Sequence, residues 1–266
     1  MLSRPSNSGL RNPPESVATM STLIAVAHGS RDPRSARTVG AVVEQIRVRR
    51  PDLDVRVAFL DLSEPSVETV LDQAAADGVR SAIMVPLLLG KAFHARVDLP
   101  GLIDAARIRH PHLELTQSQV LGDDRRLIDV VRTRIIETGV DVDDPSVGIA
   151  LAAVGSSDAS ANQRTRALAE RVLVGTRWAA AVSCFATAQH PGPADCLARL
   201  ADLGARTIVL APWFLAPGLL NDRIVAAVGG DAGTVAEVLG DHPLVADVVS
   251  SRYDAALSNL STRRSA

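Results

Sequence analysis

Leu23-Ile24-Ala25-Val26-Ala27-His28-Gly29-Ser30-Arg31-Asp32 opens with an unbroken apolar run and turns polar at a glycine. The amphipathic stretch Arg34 to Val48 follows. A short apolar run read against a longer helical pattern predicts a strand feeding a helix, and the same alternation continues along the chain. Val55 to Leu60 precedes Ser66 to Asp77, Ser81 to Leu88 precedes Val97 to Arg109, and Leu113 to Gln117 precedes Asp124 to Glu137. Asp123 or Asp124 is placed to cap the last of these helices. Strand, helix, strand, helix is the signature of a mainly parallel sheet flanked by helices, hence an α/β class. The polar stretch Gly139 to Ser146 reads as a linker.

Beyond that linker the opening stretch is written a second time. Ala27-His28-Gly29-Ser30-Arg31-Asp32 matches Ala153-Val154-Gly155-Ser156-Ser157-Asp158, an offset of 154 − 28 = 126. Phe59 and Pro65 match Phe185 and Pro191 at that offset, as do Gly78 with Gly204 and Pro86-Leu87-Leu88-Leu89 with Pro212-Trp213-Phe214-Leu215. Two unrelated domains would not keep Gly, Pro and Phe in register, so the chain reads as a tandem duplication. The expected organisation is a tail at 1–20, a first domain at 21–138, a linker at 139–146 and a degenerate second copy at 147–266.

Composition narrows the function classes. Twenty-eight basic and 30 acidic residues give a net charge of −2, which supplies no field for nucleic acid or an anionic membrane. The first twenty residues lack the apolar segment of a secretory signal, and no apolar run reaches the roughly 20 residues of a membrane span. A cytoplasmic protein is expected. Cys184 and Cys196, the two cysteines, read as free buried thiols. Lys91 is the single lysine, so anion recognition rests on arginine, whose planar fork suits carboxylates. A fused pair of domains replaces a homodimer of single ones and favours a monomer.

The duplication lets each copy test the other. Gly29 and Gly155 survive in both, whereas His28 faces Val154, Glu64 faces His190 and His94 faces Leu220. His28, Glu64 and His94 all fall just beyond the carboxyl ends of expected parallel strands, the edge where open α/β sheets bind ligands. Imidazole titrates near neutrality and ligates first-row divalent metals, so two histidines and a carboxylate at one edge suit metal handling joined to proton abstraction. His110, His112 and His242 lie beside prolines and read as surface turns. A phosphate site at Gly29-Ser30 is the weaker alternative, because one glycine and a serine fall short of a Gly-rich phosphate loop.

Three motifs carry a family resemblance. Val26-Ala27-His28-Gly29-Ser30-Arg31-Asp32-Pro33, Phe59-Leu60-Asp61-Leu62-Ser63-Glu64-Pro65, and Val85 to Gly90 leading through His94 to Asp98-Leu99-Pro100 resemble the sirohydrochlorin chelatases, the class II cobalto- and ferrochelatases, in their two-domain form. The resemblance implies a lyase that inserts Fe(II) or Co(II), taken as substrate, into a tetrapyrrole for sirohaem or cobalamin synthesis, with no tightly bound cofactor. It implies His28 and His94 as metal ligands and proton acceptors, and Glu64 as the acidic partner. Ser30, Arg31, Lys91, Arg96 and Arg223 are the candidates for holding the tetrapyrrole carboxylates. His190 is a candidate metal contact from the second copy or a turn residue before Pro191. The loop Gly90-Lys91-Ala92-Phe93 departs from the small residues the family more often carries there. A non-catalytic tetrapyrrole or metal carrier is the rival from another class.

Overall fold

The structure, a computed structural model, describes residues 21–90, 97–187, 190–228 and 233–264. The first lobe runs β1 (Thr22–Ala27), α1 (Pro33–Arg49), β2 (Val55–Phe59), α2 (Val67–Ala76), β3 (Ser81–Pro86), α3 (Leu99–Arg109), β4 (Glu114–Gln117) and α4 (Arg125–Ile136). The second repeats it as β5 (Val147–Ala153), α5 (Ala159–Leu173), β6 (Ala180–Phe185), α6 (Pro193–Asp202), β7 (Thr207–Pro212), α7 (Leu219–Val228), β8 (Thr234–Val235) and α8 (Pro243–Arg264). Each half forms a four-stranded parallel sheet, ordered β2-β1-β3-β4 and β6-β5-β7-β8. The tandem α/β expectation is met, with strand limits within two residues of those read from sequence.

The register is duplicated as well. Ala27 lies opposite Phe59 as Ala153 lies opposite Phe185, and the amides of Phe59 and Phe185 donate to the carbonyls of Pro65 and Pro191. Both prolines follow cis peptide bonds. Past the third strand of each half the copies differ in length by eight residues, since Thr116 and Thr234 hold equivalent places at an offset of 234 − 116 = 118. The duplication then continues into the last helix: Leu127-Ile128-Asp129-Val130-Val131 matches Val245-Ala246-Asp247-Val248-Val249 at the same 118. A constant offset of 126 does not register this last match, which appears only when the offset changes to 118.

Those last helices change places. β1 alternates Leu23, Ala25 and Ala27 on one face with Ile24 and Val26 on the other, and every one is buried. Burial on both faces is what an all-parallel sheet requires. The outer face packs on α2 and α3, and the inner face on α1 together with α8 of the other half. Reciprocally, α4 of the first half packs on α5 and β7 of the second. One continuous apolar core therefore joins the two sheets. Polar bonds follow the same exchange: Arg252 of α8 donates to the carbonyls of Val120 and Leu121 (2.9 and 2.8 Å), and the Tyr253 hydroxyl donates to the Ser21 carbonyl.

The segment 139–146 is tied to the second half, with Trp178 Nε1 donating to the Asp141 carbonyl at 2.9 Å and the Arg177 amide to that of Val142. Among the described residues no helix is long and apolar enough to cross a membrane. Cys184 and Cys196 are both free and buried. Hydrogen bonding to Cys184 and burial push the Cys196 thiol well above its ordinary range.

Candidate functional site

In the β2-β1-β3-β4 order the connection leaving β1 runs to one side and that leaving β3 to the other, so the carboxyl ends of β1 and β3 form the switch point where ligands bind. His28 is the first residue past the end of β1. It is held there by backbone pairing: the Asp61 amide donates to the His28 carbonyl at 2.9 Å, and the Leu60 amide to that of Ala27 at 3.0 Å. Gly29 turns away with φ +93, and a Cβ at that position would lie 1.7 Å from the Asp61 carbonyl oxygen. Only glycine fits both the left-handed dihedral and the close approach of the β2 loop.

Ser30 closes the turn. Its amide donates to Ser63 Oγ at 3.1 Å, Ser63 Oγ donates back to the Ser30 carbonyl at 3.0 Å, and Ser30 Oγ accepts from the Asp32 amide at 3.1 Å. Asp32 then caps α1 by accepting from the Arg34 amide at 2.9 Å. The Arg34 guanidinium beside it holds the Asp32 carboxyl below its ordinary range. The second copy repeats this turn with Ser156 Oγ accepting from the Asp158 amide and Asp158 capping α5, so the scaffold is common to both. Across the lobes, Arg34 also pairs with Asp222 of α7.

His28 opens into a crevice of about 500 Å³ lined, among the described residues, by Leu60, Asp61, Val97, Asp98, Gly101 and Leu102. Two carboxylates thus flank the histidine where the sequence reading names Glu64. The structure puts Glu64 at the head of α2, exposed, with its carboxylate accepting from the Ser66 amide at 3.0 Å. It works there as a helix-end acceptor and does not line the described crevice. Asp61 and Asp98 were within the quoted motifs, and the duplication offered the missing signal for Asp61, which faces Thr187 in the second copy. His94, Lys91 and Arg96 lie outside the described residues. Arg31 and Arg223 are exposed.

The other histidines sit elsewhere. His190 is 89% exposed beside Asp195, 3.4 Å away. His110 pairs with Asp72 at 2.6 Å, and His242 accepts from the Leu244 amide at the head of α8. Among the described residues no three His, Cys, Asp or Glu side chains are placed to grip one metal ion together. The crevice therefore offers an imidazole and two separate carboxylates at an open sheet edge, a set able to accept protons and to attract a divalent cation.

The CbiX family model matches residues 22–138 and again 148–256. A sirohydrochlorin ferrochelatase of Priestia megaterium is 28% identical over 248 residues, covering 90% of this chain and 92% of its own. A sirohydrochlorin cobaltochelatase of the same organism is 27% identical over 211 residues, 77% of this chain and 67% of the relative. Among solved structures, SirB from Bacillus subtilis with Fe3+ superposes with a TM-score of 0.78 at 24% identity, over 91% of this chain and 98% of that one.

Proposed function

From the chain's membership of the CbiX family, in which both of its halves match, we propose that it is a sirohydrochlorin chelatase, a lyase that inserts Fe(II) or Co(II) into the tetrapyrrole. The observation that carries the proposal is the contrast at one strand edge: His28 with Asp61 in the first copy, Val154 with Thr187 in the second. Insertion requires the macrocycle to release two pyrrole protons and to receive a dication. A neutral imidazole at His28 accepts a proton or offers a nitrogen ligand to the incoming ion. Asp61 takes the acidic role that the sequence reading gave to Glu64. His94, by its motif, is the second histidine.

The peripheral carboxylates of the substrate meet arginine, with Arg31 on the first copy and Arg223 on the second as holding groups, joined by Lys91 and Arg96. Ser30 contributes its turn, which aims His28 outward. Binding energy gathered at the periphery supports the ring distortion that exposes nitrogen lone pairs. The metal is a substrate and leaves within the product. A cytoplasmic monomer completes the proposal, and size-exclusion chromatography checks the monomer.

The test is anaerobic absorbance of sirohydrochlorin with Fe(II) and, separately, Co(II), against the uncatalysed rate. Acceleration that disappears in His28→Ala supports the chelatase. Tight tetrapyrrole binding without acceleration overturns it in favour of a carrier.

A further inference from the structure

The loop that brings Asp61 to the crevice is held at its base, at its entry and at its tip. At the base the Phe59 amide donates to the Pro65 carbonyl at 2.9 Å, and the Phe185 amide does the same to Pro191 at 3.2 Å. At the entry the amides of Leu60 and Asp61 donate to the carbonyls of Ala27 and His28, as those of Ala186 and Thr187 donate to Ala153 and Val154. The tip is where the copies part. Ser63 Oγ accepts from the Ser30 amide at 3.1 Å and donates to the Ser30 carbonyl at 3.0 Å. In the second copy the same two backbone groups, now of Ser156, are taken by Asn162 of α5, which accepts through Oδ1 at 2.8 Å and donates through Nδ2 at 2.7 Å.

The backbone of the tip is bent to make this bridge. Leu62 has φ +59, and among the described residues no other non-glycine residue has a positive φ. That left-handed conformation is unfavourable for an L-residue and persists where surrounding contacts over-determine it. The Leu62 side chain is exposed, so apolar packing does not hold the bend. Polar contacts on either side do: the Leu62 amide donates to Asp61 Oδ1 at 2.8 Å, and Ser63 grips Ser30. One bent tip therefore orients the Asp61 carboxylate and closes on the residue two places after His28.

We propose that Ser63 is a positioning residue: its two-way bond to the Ser30 backbone locks the Leu62 bend, and with it the placement of the Asp61 carboxylate relative to the His28 imidazole. This rests on the chelatase reading above. Ser63 acts through its neighbours and not on the substrate. The two copies then support the same turn to different ends, since Asn162 steadies a turn that carries Val154, whereas Ser63 steadies one that carries His28 and ties it to an acidic loop.

Small misplacements of reacting groups cost large factors in rate, so Ser63→Ala should lower kcat for Co(II) insertion about tenfold while the KM for sirohydrochlorin changes less than about twofold. Ser63→Thr keeps the hydroxyl and should bring kcat back to within about threefold of wild type. Asn162→Ala removes the matching pair of bonds from the second copy; it should lower the urea midpoint at least as far as Ser63→Ala does, with kcat within about twofold of wild type. The His28 ring gives a readout independent of turnover. Its NMR signals, assigned by their loss in His28→Ala, should shift or broaden in Ser63→Ala, return in Ser63→Thr and stay in place in Asn162→Ala. Unchanged His28 signals in Ser63→Ala, a loss confined to KM, or an equal loss of kcat in Asn162→Ala each overturns the proposal. Wild-type protein that accelerates no insertion overturns the chelatase reading, and displaced His28 signals in Ser63→Ala then leave the positioning role standing.

Discussion

The two sheets are built alike and end differently. At the carboxyl end of β1 and of β5 the same turn recurs: a glycine at φ +93 or +87, a serine accepting from the aspartate two places on, and that aspartate capping the next helix. What projects from the turn is His28 in one copy and Val154 in the other. The comparison teaches that the turn is scaffold and the side chain is chemistry, because the backbone geometry persists where the imidazole has gone.

The largest effect should come from breaking that difference directly. His28→Ala is expected to lower sirohydrochlorin metallation at least a hundredfold while tetrapyrrole affinity changes little, and Val154→His should not restore it, because Thr187 does not reproduce the carboxylate of Asp61. Initial rates of metallation and fluorescence titration measure both. Retained turnover in His28→Ala removes the histidine from the mechanism.

Next comes the turn itself. Gly29→Ala meets both a left-handed dihedral and the Asp61 carbonyl at 1.7 Å, and should cost about 3 kcal/mol or more. Gly204→Ala, at φ +90 in open space, should cost only about 1–2 kcal/mol. Urea midpoints order the two variants, and equal losses would mean that the approach of the β2 loop carries no weight.

The exchanged helices give a smaller contrast. Tyr253 of α8 holds the position that Ile135 holds in α4, and its hydroxyl reaches the buried Ser21 in the opposite half. Tyr253→Phe should cost about 1–2 kcal/mol through the carbonyl left without its donor. Because the core is continuous across both sheets, calorimetry should show one transition for wild type and variant alike. Two separated transitions would show that the halves unfold independently.

The smallest effect is one of pH. Asp124 and His242 are equivalent helix heads, 118 residues apart. Hydrogen bonds from Arg126, with Arg252 alongside, lower the Asp124 carboxyl; its contribution is present above the ordinary value of 3.8 and lost as acid carries the pH down through the folded value. Burial lowers the His242 imidazole, so its contribution is present above 6.5 and lost as pH falls through a folded value below that. Stability should decline in two acid steps, the upper one absent in His242→Gln and the lower one reduced in Asp124→Asn. Denaturant midpoints between neutrality and strong acid read both.

Much of this was legible in the sequence because it is periodic. Apolar runs with intervening helical phase announce parallel strands, Gly29 and Gly155 announce matching turns, and the loss of His28 at Val154 marks the reactive edge. Asp61 carries the same signal in Thr187, yet the motif points to Glu64, because an acidic residue before a proline is visible in sequence whereas the direction of a loop carboxylate is not. Asp98 carries no such signal, because residues 97 and 98 open α3 in a wide turn that hydropathy does not register.

The sequence by itself therefore determined the strands, the duplication and the histidine at the edge of β1, all of which follow from local pattern and dihedral preference. Only the tertiary structure decided that α4 and α8 exchange sheets, that Asp61 and Asp98 face His28, and that Glu64 turns to the amide of Ser66. Those outcomes depend on which surfaces meet across more than a hundred residues, and no local period encodes which sheet an amphipathic helix will cover.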